Sequence, residues 1–411
     1  MTDRVLLLIP NRSYRTHDFM EAATQLGIEV VVGTDRSSPL GGGPSGRQVS
    51  FDFHDLDRGV EQVESYASKY PVGTIVAVDD AGTRLAAHAS RRLELPHNPV
   101  GAVEATRDKS LLRQRLAAAG VPSPRFAIVG RNDDLMKVAR GIPYPAVLKP
   151  LSMSASRGVI RVNNAEEFIA AFRRIEEILD DPEYSLECPG FTDRVLVEEY
   201  LPGYEVSVEG VLADHRLEVL AIFDKPDPLE GPFFEETIYV TPSRHSEADI
   251  EQVVATSEAA VRALGLEAGP VHIELRVSDA GVYPIDVAAR SIGGLCSRTL
   301  SFGTGMSLEE LLLRCATGKE VPSYHREMRA AGVMMIPILR AGVLRSVTGR
   351  KEAETVSLVE SVTISIPAGE EVVPLPEGNE YLGFIFAKGE TPAEVEEALR
   401  ESHRHLTFTI E

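Results

Sequence analysis

Tryptophan is absent from this sequence of 411 residues, and cysteine occurs only at Cys188, Cys296 and Cys315. Three widely spaced cysteines without a Cys-x-x-Cys pair suggest neither a disulfide framework nor a zinc knuckle, and they fit a reducing cytoplasm. Long apolar runs are also missing. The longest near the N-terminus, Val5 to Pro10, is shorter than a signal-peptide core and far below the roughly 18 residues of a membrane span. A soluble cytoplasmic protein with no membrane partner is expected. Basic charge is scarce, with 42 Lys and Arg against 62 Asp and Glu, a net charge of −20. Residues 351–411 alone carry 13 Glu against four Lys and Arg. Such a chain repels phosphate backbones and anionic lipid, which argues against nucleic acid as a partner. A hydrophobic share of 43% and a charged share of 25% are ordinary for globular proteins and exclude disorder and collagen. The length suits two to three domains of about 150 residues.

Val5 to Ile9 reads as a buried parallel strand, followed by a helix ending at Gly27 with Phe19, Ala23 and Leu26 on one face. A second strand, Ile28 to Gly33, completes a strand–helix–strand unit. Thr74 to Val78, with a helix carrying Leu85, Ala89 and Leu93, repeats the pattern. Residues 1–105 are therefore expected to be a doubly wound α/β domain. The glycine-rich stretch Gly41 to Arg47 has Arg and Gln where a phosphate loop has Lys and Ser or Thr, and it reads as a turn. Beyond Pro122 and Pro124, strands at 126–129, 146–150 and 158–162 alternate with helices near 132–140 and 165–179. Three strand-like runs follow between Val195 and Phe223, then an irregular segment 224–243 long enough for a functional loop. A helix at 248–264 precedes strands near 271–276 and 282–287, and residues 330–411 are strand-rich with a final helix near 391–402.

Three clusters could carry chemistry. In the first, Lys149 ends a strand and Ser152-Met-Ser154-Ala-Ser156-Arg157-Gly158 follows. Small residues let backbone N–H groups wrap a phosphate while the lysine supplies a point charge; a polar hairpin is the alternative. In the second, Glu198-Glu199-Tyr200-Leu201 is followed by Glu205 in an alternating strand. Its acceptors suit an adenine amino group and ribose hydroxyls, or it is an exposed acidic turn. In the third, His272-Ile-Glu274-Leu-Arg276 and Tyr283-Pro-Ile-Asp286-Val-Ala-Ala-Arg290 form a hairpin that sets Glu274 beside Asp286. Paired carboxylates repel unless a cation lies between them, as Mg2+ does on nucleotide phosphates. Neutralisation of the pair by Arg276 or Arg290 is the alternative.

Order, spacing and residue types together strongly resemble the ATP-grasp superfamily over residues 1 to about 320. The resemblance implies a multidomain α/β and α+β chain: an N-terminal doubly wound pre-ATP-grasp domain (1–105), a lid region with the nucleotide loop (106–199), a catalytic subdomain (200–325) and a C-terminal α+β domain (326–411). It gives Lys109, in Thr106-Arg-Asp-Lys109, and Lys149 to the nucleotide, together with Ser154, Ser156, Arg157 and Gly158 of the lid loop. Glu198, Glu199, Tyr200 and Leu201 match the hinge that holds adenine, and Glu205 the acid that faces the nucleotide. Glu274 and Asp286 match the metal pair, and Arg290 the catalytic arginine. Where many relatives place Asn two residues after the second acid, this chain has Ala288.

Ile285 to Arg290 looks like the branch containing L-amino acid ligases, as does Phe233-Phe-Glu-Glu236-Thr-Ile-Tyr239-Val-Thr-Pro242. The latter implies Glu236 as binder of a substrate amino group, with Tyr239 where dipeptide ligases often have His; a packed aromatic turn is the alternative. Gly383 to Pro392 resembles that branch's closing domain. The expected activity is an ATP-dependent carboxylate–amine ligase that forms an amide through an acyl phosphate, with ATP and Mg2+, or Mn2+, and small carboxylate and amine substrates. Many relatives are homodimers. The alternatives are a bicarbonate-activating carboxylase or carbamoyl-phosphate-type subunit, and a non-catalytic ATP sensor.

Overall fold

In the structure, a computed structural model, residues 4–11, 13–36, 48–182, 184 and 190–411 are described. The turn at 41–47 and Cys188 lie outside them. Four parallel strands, β1 (Val5–Leu8), β2 (Val30–Thr34), β3 (Gln48–Ser50) and β4 (Thr74–Ala77), form a sheet in the order β3-β2-β1-β4. All four β1 residues are buried because both faces are covered: Leu6 and Leu8 meet Val63 and Leu85, and Val5 and Leu7 meet Phe19 and Ala22. The covering helices are α1 (Thr16–Leu26), α2 (Leu56–Lys69) and α3 (Asp80–Arg92).

Helices α4 (Val100–Arg107) and α5 (Lys109–Ala118) lead to a second sheet, ordered β5-β8-β6-β7, of β5 (Phe126–Gly130), β6 (Ala146–Pro150), β7 (Ile160–Val162) and β8 (Arg194–Glu199). Against it pack α6 (Leu135–Gly141) and α7 (Ala165–Asp180), the latter through Phe168, Phe172 and Ile175. Asn164 caps α7 by accepting from the N–H groups of Glu166 and Glu167, so the helix starts where its apolar stripe begins.

The third sheet has eight strands. In chain order these are β9 (Tyr204–Ala213), β10 (Arg216–Lys225), β11 (Ile238–Thr241), β12 (Gly269–Ser278), β13 (Gly281–Ala288), β14 (Ala330–Ile336), β15 (Val359–Ile364) and β16 (Gly383–Gly389). Their order in space is β13-β12-β9-β10-β11-β14-β16-β15. The helix α8 (Glu247–Leu264) covers one face, where Val206, Val208, Val271, Ile273 and Leu275 meet Val261 and Leu264. The helix α9 (Leu308–Thr317) joins this sheet to the first through Leu308, Leu311 and Leu312, and α10 (Pro392–His405) packs on β14 and β16.

One expectation fails here: segment 224–243 is not irregular throughout. Lys225 is the last residue of β10, and Ile238-Tyr-Val-Thr241 is a buried strand between β10 and β14. The β-branched and aromatic residues of that short run favour strand, a signal hidden by the Pro and Gly residues flanking it.

Candidate functional site

Strand alternation builds the site. Along β9, Val206 and Val208 face the α8 core while Glu205, Ser207 and Glu209 point to the other side. Along β12, Ile273 and Leu275 do the same, and His272, Glu274 and Arg276 share the polar face. Register then fixes the partners: Glu205 stands opposite Lys225 on β10 and Arg276 on β12, and Glu274 stands opposite Asp286 on β13. The facing acids are thus a cross-strand pair, with a bulge immediately after Glu274.

A cavity of ≈ 110 Å3 opens on this face. Lys109 begins α5 and reaches Asp286, with Nζ 2.8 Å from Oδ2. Lys149, near the end of β6, reaches the fully buried Glu198, with Nζ 2.8 Å from Oε2. Glu198 also accepts from Arg113, and these two cations, against the opposing effect of burial, hold its carboxyl down at about 2. Its carboxylate is therefore committed to positioning Lys149, and Glu199 is bound by Arg125. Tyr200 and Leu201 line the same cavity. Ser154 and Ser156 line it from the lid loop, where Ala155 and Ser156 adopt φ of 55° and 54°.

Lys225 was not among the sequence-derived candidates, yet it is central. Its ammonium, 3% exposed, lies 2.5 Å from Glu205 and 3.7 Å from Glu274, and it donates to Glu236. Burial works against its charge, but Glu205, Glu236 and Glu274 hold its pKa well above the ordinary lysine range. Glu274 is in turn held far below the usual carboxylate range, despite burial, by Lys225, His272 and Lys109. Burial raises Glu236, whose carboxylate also accepts from the Tyr239 hydroxyl at 2.9 Å. His272 lies between acids, Nδ1 3.2 Å from the buried Glu209 and Nε2 3.7 Å from Glu274. Ala288 stands opposite His272 across the strands.

Glu236, Tyr239, Glu274 and Arg290 also line a second cavity of ≈ 290 Å3, floored by Ile292, Cys296, Met335 and Tyr381. Neither arginine considered for the metal pair neutralises it. Arg276 binds Glu205 at 3.2 Å, and Arg290 binds Asp80 of the first domain at 2.8 Å. Glu274 and Asp286, with side chains 24% and 32% exposed, are hard oxygen donors that fit a divalent cation.

Two lid residues lie elsewhere. Arg157 lines a third cavity, stacked over Tyr184, because the chain turns away from the first cavity after Ser156. Gly158 has φ +68°, and its N–H donates to Pro376 O of the C-terminal region at 2.9 Å. A Cβ there would lie 2.5 Å from Pro150 Cγ. Gly158→Ala is accordingly expected to cost about 1–3 kcal/mol, read as a lower denaturation midpoint.

Three family models match the chain in succession: the ATP-grasp N-terminal domain over residues 20–97, the ATP-grasp domain over 142–299 and the L-amino acid ligase C-terminal domain 2 over 334–411. The chain belongs to the ATP-grasp superfamily. This ATP-grasp chain is similar over nearly its whole length to the crystal structure of an L-amino acid ligase from Bacillus licheniformis. The TM-score is 0.86 at 26% identity, covering 99% of this chain and 98% of that one. Among curated sequences it is 30% identical over 268 residues to the alanine–anticapsin ligase of Bacillus subtilis, covering 62% of this chain and 56% of that protein. It is also 26% identical over 243 residues to the dapdiamide A synthase of Enterobacter agglomerans, covering 58% and 55%. The chain spans about half the length of these curated relatives. Among the described residues, no helix is long and apolar enough to cross a membrane.

Proposed function

We propose that this protein is an ATP-dependent carboxylate–amine ligase that joins two small substrates, most simply two amino acids, in the cytoplasm. The observation that carries the reading is the convergence of Lys109, Lys149, the facing pair Glu274 and Asp286, and Arg290 on one cavity beside the lid loop. The likeness to ligases along the whole chain supports it.

ATP lies along the first cavity with its adenine at the 199–201 backbone, and Lys109 and Lys149 receive its phosphates. Glu274 and Asp286 would hold Mg2+, which would supply charge neutralisation for phosphoryl transfer. The donor acid enters the second cavity. Three of the five N–H donors of Arg290 are used by Asp80 and Ser291, and two remain for the donor carboxylate. A carboxylate oxygen attacks the γ-phosphorus, and the bond to the departing ADP breaks. The amine then attacks the carbonyl carbon of the acyl phosphate, the C–O bond to phosphate breaks, and the nitrogen proton leaves on the departing phosphate. Closure of the lid keeps water from the acyl phosphate.

The test is ADP release with Mg-ATP against the twenty amino acids, singly and in pairs, with mass spectrometry of products. Turnover that requires a pair and yields its dipeptide is expected. ATP binding with silence across the matrix would overturn the dipeptide form of the proposal.

A further inference from the structure

Four positions on one face of the β12–β13 hairpin form a square. Glu274 stands opposite Asp286, and two residues along the strands His272 stands opposite Ala288. Ile273 and Val287, between them, face the α8 core, so the four side chains share the other face. Three corners carry a donor atom and the fourth only a methyl group.

His272 is 5% exposed, and its Nε2 lies 3.7 Å from Glu274 Oε1. That separation is beyond hydrogen-bond reach. It is close to the spacing of two donors on one cation, since at bonds of about 2.1 Å neighbouring ligands of an octahedral ion lie roughly 3 Å apart. Glu274, at the wall of two cavities, has room to close the difference. Lys225 also comes within 3.7 Å of Glu274 Oε1, but Glu205, at 2.5 Å, and Glu236 engage its ammonium at closer range.

The imidazole is oriented from behind. The fully buried Glu209, on the neighbouring β9, places Oε2 3.2 Å from His272 Nδ1. The same oxygen accepts the Ile292 N–H at 2.9 Å, which fixes it as the acceptor and Nδ1 as the donor. In the neutral ring the lone pair then lies on Nε2, the nitrogen turned toward Glu274. A buried carboxylate that fixes one ring nitrogen while the other faces an acid is the arrangement found around metal-bound histidines. A proton on Nε2 can serve the two acids, and a divalent ion that displaces it gains the lone pair.

We infer that His272 Nε2 is a third protein ligand of the divalent cation, beside Glu274 and Asp286. The inference rests on the ligase reading and narrows its cation. Two carboxylates and an imidazole favour a first-row divalent ion such as Mn2+ over Mg2+, because nitrogen suits those metals whereas Mg2+ prefers oxygen and keeps its waters.

The test uses the full chain with ADP and needs no turnover. Electron spin-echo spectra of Mn2+ bound with ADP are recorded on protein carrying 14N or 15N in its histidines. A nitrogen modulation that changes with the histidine label, and that is missing in His272→Asn, is expected. A spectrum of the wild type without a histidine nitrogen overturns the inference, whether or not the variant folds. Dissociation constants for Mn2+ and Mg2+, measured with ADP by titration calorimetry, supply the second readout. The preference for Mn2+ should fall by roughly tenfold or more in His272→Asn, which offers an oxygen in place of the nitrogen. An unchanged preference in a folded variant overturns the inference. Coordination by oxygen alone in a protein that still makes an amide from ATP removes the third ligand and leaves the ligase reading standing; failure of both ions to bind with ADP removes the two together.

Discussion

Glu274→Gln is expected to lower ADP release by about a thousandfold, or about 4 kcal/mol of transition-state stabilisation, in a chain that still folds. The substitution keeps the shape of the side chain and removes one charge. Folding survives because Lys225 retains Glu205 and Glu236 as counter-ions, and because Ile273 and Leu275, on the opposite face of β12, remain packed against α8. Activity does not, because one of the two facing carboxylates that would hold the cation is gone. Phosphate release at saturating Mg-ATP, measured beside a thermal melt, tests both halves. A rate within tenfold of wild type would mean that the metal is held elsewhere. A lost melting transition would mean that Glu274 is a structural member of the cluster.

The strand facts behind that expectation were readable from sequence, because alternation is a period-2 signal and each strand of the hairpin carries its acids on one face. Glu274 and Asp286 stand opposite each other as the twelve-residue spacing implies. What could not be read were partners set by distant chain. Arg290 reaches Asp80, 210 positions away, and Arg113 reaches Glu198, 85 positions away. Both contacts depend on how separately folded layers dock, and no local pattern encodes that. Arg157 was placed with the nucleotide because it follows the serines in sequence, whereas the left-handed turn at Ala155 and Ser156 sends it to the other wall of the loop. Lys225 was missed for another reason. The apolar run of the third strand stops at Phe223, and the charged Asp224-Lys225 reads as loop, although these two residues continue β10 and bring the lysine into register with Glu205.

That lysine is the basis of the second large expectation. Lys225→Met should lower stability by about 3–5 kcal/mol, because removing one partner leaves the others as uncompensated buried charge. The carboxylates of Glu205, Glu236 and Glu274 come within 4.8 Å of one another. In the wild type the raised pKa of Lys225 makes its contribution complete below the unfolded lysine value and lost only as the pH climbs through the folded one, so this term is flat between pH 5 and 8. In the variant Glu236, raised by burial and deprived of the cation that opposed this, can relieve its repulsion from the neighbouring acids only by binding a proton. Its folded pKa then lies further above the unfolded one, and stability is lost as the pH rises through it. Thermal melts of both proteins should therefore diverge from pH 5 to pH 8, with the variant falling as the pH increases. Added Mg2+ should narrow the gap, since a divalent cation offers the acids what the ammonium supplied. A variant within about 1 kcal/mol of wild type at pH 8, with no slope against pH, would mean that the three carboxylates do not depend on Lys225, and that the polar face of the sheet is held by Arg276 and His272 instead.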